Sequence, residues 1–151
     1  MKIKISYFYK VRFFKPNEIP ISTAIFDPRW YYNGKKQGYV WRDKRGVVNG
    51  LRAPVFAPGP RCEGLCYGPR VCLGAPNECE FLQMYYVQLK HLDFEKVIKS
   101  LEEIAKLYSG DTVVLLVHET PDNKCSERQM LIKWFNDHGY ELKEYEENVS
   151  D

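Results

Sequence analysis

The sequence predicts an α/β fold: one compact domain, a sheet flanked by helices, with a Cys/Gly/Pro-rich loop inserted. Three observations carry this. Residues 112–117 (TVVLLV) are β-branched or leucine throughout and apolar on both faces, the pattern of a strand buried inside an α/β sheet. Residues 93–109 place Phe94, Val97, Ile98, Leu101, Ile104 and Leu107 on one helical stripe behind Asp93, a natural N-cap. Residues 2–11 and 19–25 alternate apolar with polar in the period of strands.

The composition bounds the rest. A chain of 151 residues is long enough for one domain with a real core, and its hydrophobic fraction of 44% is ordinary. A formal net charge of +2 does not by itself imply a nucleic-acid binder; only a local patch would. No apolar run reaches the length of a membrane span, so no membrane partner is expected. The opening MKIKISYFYK alternates like a strand and lacks the apolar region and cleavage site of a signal peptide. The expectation is therefore a cytoplasmic protein with its five cysteines reduced.

In chain order, residues 2–11 form a half-buried strand: Ile3, Ile5, Tyr7 and Tyr9 against Lys2, Lys4 and Ser6. Two prolines and an Asn mark 13–20 as a connection, and a second strand runs to Asp27-Pro28. Residues 33–52 interleave Lys35, Lys36, Arg42, Lys44, Arg45 and Arg52 with Tyr39 and Trp41. Basic residues beside aromatics suit phosphates and stacked bases. The favoured reading is plainer: a polar hairpin with turns at Asn33-Gly34 and Arg45-Gly46.

Residues 53–79 form the inserted loop, which holds Cys62, Cys66, Cys72 and Cys79 in a Cys-x3-Cys-x5-Cys-x6-Cys arrangement. Such a segment cannot bury a core of its own, and a metal would tie it down. Soft thiolates select zinc, the first expectation, or an iron–sulfur cluster. The spacing matches no standard finger or ferredoxin run, and reduced thiols or a redox disulfide are the other readings. Helices follow at 79–90 and 93–109, then the buried strand, a last helix from Ser126, a short strand within 140–145 and a frayed acidic tail over 146–151.

The best candidate site lies between that strand and that helix. Ser126 followed by Gln129 is a capping-box signature, so the helix starts at Ser126 with Cys125 just outside it. Unpaired N–H groups and the positive end of the helix dipole stabilise a thiolate there. Arg128 is a cation at the wrong end of that dipole, so it needs an anion: Glu119, Glu127 or a ligand. In open α/β sheets ligands bind beyond the carboxyl ends of strands, where His118, Glu119, Cys125 and Arg128 converge. If the second strand is parallel to 112–117, then Arg29, Trp30 and Tyr31 join them as substrate contacts with Ser126. The opposing reading makes Cys125 a small hydrophobe, Glu127 a first-turn acid and Arg128 a solvated surface residue.

The run VVLLVHETPDNKCSERQMLIKWFNDHG resembles the C-terminal signature of domain-of-unknown-function family 488, in which an apolar strand, a Glu, a Pro and a Cys-containing helix start precede a Trp-bearing helix. The earlier IPISTAIFDPRWYY is similar to that family's strand ending in Pro-x-Trp-Tyr. Together they cover about a third of the chain. The resemblance implies a compact α/β domain and supports Glu119, Pro121, Cys125, Arg128 and Trp134 as matched positions. A branch of the family has His directly after the Cys; here Ser126, Glu127 and Arg128 follow, and the Cys-rich loop is not part of the general pattern.

Two functions compete at this stage. In one, Cys125 is a nucleophile, Glu119 or His118 moves the proton, and the helix N–H groups with Arg128 hold a phosphate-bearing substrate such as a nucleotide or nucleic acid. In the other, a metal-stabilised loop and the basic-aromatic segment form a binding module for nucleic acid or a protein partner, without chemistry.

Overall fold

Thr112–Val117 (β5), fully buried along its length, is the axis of a four-stranded, all-parallel sheet. Lys2–Tyr7 (β1) lies on one side of it and Glu18–Ser22 (β2) on the other; Lys143–Glu144 (β6) adds to the far side of β1. The order is β2-β5-β1-β6, with Ile3 level with Val113 and Ile19 level with the same residue from the other side. The α/β expectation is met by this parallel sheet with its flanking helices. The structure is a computed structural model and describes residues 1–62 and 79–147.

Odd-numbered β5 residues share one face with Ile3, Ile5, Ile19 and Ile21. That face packs with Glu80–Lys90 (α1), Phe94–Leu107 (α2) and Glu127–Asp137 (α3) in a single cluster that includes Leu82, Tyr85, Leu101, Leu131 and Trp134. Asp93 caps α2 by accepting from the Lys96 N–H, as its sequence position predicts. Leu107, at the end of the expected stripe, is exposed. Gly139 takes φ +79° just past the end of α3, the left-handed conformation expected at C′.

The other sheet face departs from expectation. The first strand stops at Tyr7, and Phe8–Phe13 winds into a 3₁₀ turn. Phe8, Val11 and Phe14 are all buried, a spacing of three that suits three residues per turn and overrides the alternation of Tyr7, Tyr9 and Val11. These side chains join Val114, Leu116, Tyr31, Val47 and Tyr145 in a second core, so the polar face of β1 is covered and Ser6 is buried.

The predicted hairpin is present but short: Trp41–Arg42 (β3) pairs antiparallel with Val48–Asn49 (β4) around the turn at Gly46. Asn33 instead ends a 3₁₀ turn, Arg29–Tyr32, with a left-handed φ of 56°. The hairpin's arginines serve the fold. Arg45 donates to the Val11, Arg12 and Phe14 carbonyls and to Asp43, and Arg42 donates to Gly46 O and Tyr108 O. Within the described part of the Cys-rich loop, Pro54–Phe56 and Pro60–Cys62 form 3₁₀ turns, and Phe56 is fully buried. Glu147, placed in the tail, is held by Lys10 at 2.5 Å. Among the described residues no helix is long and apolar enough to cross a membrane.

Candidate functional site

Because β2 and β5 are parallel, their carboxyl ends open on the same side. The chain leaves β2 through Thr23, whose hydroxyl donates to Leu116 O at 2.7 Å, so this exit is tied to β5. Asp27 then accepts from the Ser22 hydroxyl and pairs with Arg52 at 2.8 Å, while Arg52 also donates to Ala24 O. This buried ion pair fixes the shape of the loop 23–27. Between that loop, the end of β5 and the start of α3 lies a cleft of about 170 Å³, lined by Thr23, Ala24, Ile25, Phe26, Val117, His118 and Glu127.

Two carboxyl groups meet beside it. Ser126 caps α3 by accepting from the Arg128 N–H at 3.1 Å, and Gln129 completes the capping box by accepting from the Ser126 N–H. The same Ser126 hydroxyl donates to Glu119 Oε1 at 2.8 Å, which aims Glu119 at the first residue of the helix, Glu127. Burial, then the charge of Glu119 and a hydrogen bond to it, push Glu127 up to about 7. A first-turn acid is normally favoured by the helix dipole, but here desolvation wins. A hydrogen bond between two carboxyl groups needs one of them to keep its proton, and here that one is Glu127.

His118 lines the same cleft. Its Nε2 lies 2.6 Å from the Phe26 carbonyl oxygen, which only accepts, so Nε2 carries a hydrogen and Nδ1 is the ring nitrogen left to face other groups. Phe8 packs on the ring at 4.8 Å between centroids.

The other expected site residues fall elsewhere or are already engaged. Arg128 is 2% exposed and grips Glu144 through Nε and Nη2, at 2.9 and 3.2 Å, while Nη1 donates to Glu119 O at 2.7 Å. Its anion is thus Glu144, which lies outside the expected set, and it clamps α3 to β6 rather than presenting a free cation. Ser126 is fully buried and is spent on the cap and on Glu119. Tyr31 is a core residue whose hydroxyl donates to Pro20 O and Leu51 O. Trp30 and Arg29 are exposed, and Trp30 lines a separate cleft on the far side of Phe8.

Cys125 stands where expected, one residue before the cap, with its N–H donated to Asn123 Oδ1 at 2.9 Å. It is disulfide-bonded, which corrects the expectation that all five cysteines are reduced: in this form it offers no thiolate. Of the proposed metal quartet, Cys66 and Cys72 lie outside the described residues. Cys62 is a free thiol in the hydrophobic core, pushed above its ordinary range by burial, and Cys79 is free and half-buried. Among the described residues no group of three or more His, Cys, Asp or Glu side chains is placed to hold a metal.

Sequence reasoning thus finds His118 and Glu119, and gives Glu127 only the part of a first-turn acid or a partner for Arg128. An eight-residue separation across a loop gives no local sign that two acids will touch, and a Glu in a first helical turn has an ordinary explanation. No family model, no curated protein and no solved structure matches this chain.

Proposed function

We propose that the chain is a small enzyme whose chemistry is proton transfer by the Glu119–Glu127 pair at the carboxyl end of β5. The observation that carries this reading is the hydrogen-bonded contact of two half-buried carboxyl groups, Glu119 and Glu127, beside an open cleft, which pushes Glu127 up to about 7. A general acid works best when its pKa is close to the operating pH. Glu127 donates and itself becomes a carboxylate beside Glu119, which Ser126 orients; the charge repulsion between the two then draws a proton back from solvent through the open cleft and restores the pair. His118 Nδ1 supplies a further polar group at the rim. With its one proton on Glu127 the pair is a net anion, so the group entering the cleft is a neutral oxygen or nitrogen that accepts a proton, not a phosphate. Any phosphate on the same substrate lies outside, because Arg128 is already committed to Glu144.

The test has two arms. Carbon-13 NMR of glutamate-labelled protein should show one carboxyl titrating near pH 7, and Glu119→Gln should return it toward the ordinary range. A panel of nucleotides and phosphate or carboxylic esters, scored for turnover, should lose activity by about 10²–10³-fold in both Glu119→Gln and Glu127→Gln. Ordinary titration of every glutamate would sink the reading, as would turnover indifferent to both substitutions.

A second reading is favoured by one feature. Cys125 directly precedes the capped end of α3, where a released thiolate is stabilised, so reduction converts the disulfide into a nucleophile beside the carboxyl pair. Activity that emerges only after dithiothreitol treatment and is lost in Cys125→Ser supports this reading; equal activity of oxidised and reduced protein removes it.

A further inference from the structure

Charge is unevenly spread over this nearly neutral chain. Residues 7–15 and 29–45 together hold nine of its 22 lysines and arginines and only one of its 20 acids, Asp43. The fold brings these two segments onto one face. Arg45 donates to Val11 O and Arg12 O, and the Phe8 ring lies 5.3 Å from Tyr31 and 6.4 Å from Trp30. This is the side of the sheet opposite the three α-helices.

Large aromatic rings stand open among these charges. Tyr9, Phe13, Trp30 and Tyr39 are each between 40% and 51% exposed. Tyr9 and Phe13 lie 6.2 Å apart, and the Arg12 guanidinium sits 3.7 Å over the Tyr9 ring. Between Tyr9, Arg12, Trp30, Trp41 and Arg45 runs a cleft of about 190 Å³. Several cations are held by the fold, but Arg29, Lys35, Lys36 and Lys44 are exposed and make no ion pair among the described residues.

We infer that this face binds single-stranded nucleic acid, with Trp30 and Tyr9 stacking on bases and the surrounding lysines and arginines following the phosphates. The two features are needed together. A positively charged track gives affinity for the backbone without regard to sequence, and open rings between the charges take up unpaired bases. An acidic protein partner would explain the charges but not four half-exposed rings beside them. A duplex would hide its base faces from the rings. Phe8 touches both Trp30 and, at 4.8 Å, His118, so a strand seated here ends one side chain from the cleft of the carboxyl pair. The inference does not depend on that pair being catalytic.

The experiment is fluorescence anisotropy of labelled 12-mers of deoxythymidine and uridine, and of a 12-base-pair duplex, titrated with the whole chain between 50 and 200 mM KCl. Four or five phosphate contacts predict a log–log salt slope of about −3 for single strands. Trp30→Ala should weaken binding roughly tenfold, as loss of one stacked base does. Because Trp30 packs on Phe8, the doublet Lys35→Glu/Lys36→Glu on the exposed turn serves as a second variant; it should weaken binding at least tenfold and flatten the slope. Lys99→Glu on α2 should change neither. Similar affinities for the two single strands are expected, and a difference between them would tell whether RNA or DNA is the natural ligand. Three results overturn the inference: no binding at 50 mM KCl with ~100 μM protein, binding insensitive to salt and to both variants, or duplex bound as tightly as single strands.

Discussion

Glu127 has a consequence for stability that can be measured without a substrate. Its folded-state pKa, about 7, lies above the ordinary value of 4.5, chiefly through burial and then through Glu119. The folded protein therefore holds a proton that the unfolded chain has already lost between those values. The stabilisation is complete at pH below about 4.5 and is lost as pH rises through 7. The substitution Glu127→Gln mimics the protonated form at every pH. Urea titrations of wild type and Glu127→Gln should thus agree near pH 5 and diverge by pH 8, with wild type weaker by on the order of 2 kcal/mol. Parallel curves across that range would show that Glu127 titrates normally. At this scale the sequence was legible in part. His118 and Glu119 follow from the end of an unmistakable strand, whereas the anion that Arg128 needs, read from sequence as Glu119, Glu127 or a ligand, is Glu144, which sits on a two-residue strand with almost no signature of its own.

The N-terminus of α3 shows how one element serves both fold and site. Ser126 accepts from the helix and donates to Glu119, so its hydroxyl is both cap and aiming device. Ser126→Ala should cost about 1–2 kcal/mol in urea unfolding through loss of the cap. It should also lower the titration midpoint of Glu127, because Glu119 is no longer held against it. A loss of stability with the midpoint unchanged would make Ser126 a cap alone. The capping box was readable because it is a local pattern of four residues. The 3₁₀ turn Phe8–Phe13 was not, since the same side chains satisfy a strand pattern and a three-residue repeat. Only the second core beneath them, built from residues far away in the chain, decides between the two.

For the molecule as a whole, the α/β sheet and its three helices follow from hydrophobic periodicity alone, whereas the covering of the sheet's second face does not. That cover is made of turns, aromatics and arginine–carbonyl bonds, none of which has a period. The disulfide at Cys125 is a further constraint that periodicity cannot reveal. Its reduction should lower the unfolding free energy by about 2–4 kcal/mol, and Cys125→Ser should reproduce that loss without reductant. Stability indifferent to both would mean that the cross-link closes no loop of consequence in the unfolded chain.

The position of Pro20 bears on how these molecules behave in company. β2 is the rim of the sheet, and its outward side would ordinarily offer a ladder of donors and acceptors to a neighbouring chain. Pro20 has no N–H to offer, and its carbonyl is taken by the Tyr31 hydroxyl. Two residues on, Ser22 N–H donates to Leu51 O and Ser22 O accepts from Ala53 N–H, which closes the remaining stretch from within. A newcomer strand finds nothing to zip onto, so this edge resists the template-driven aggregation to which open parallel sheets are prone.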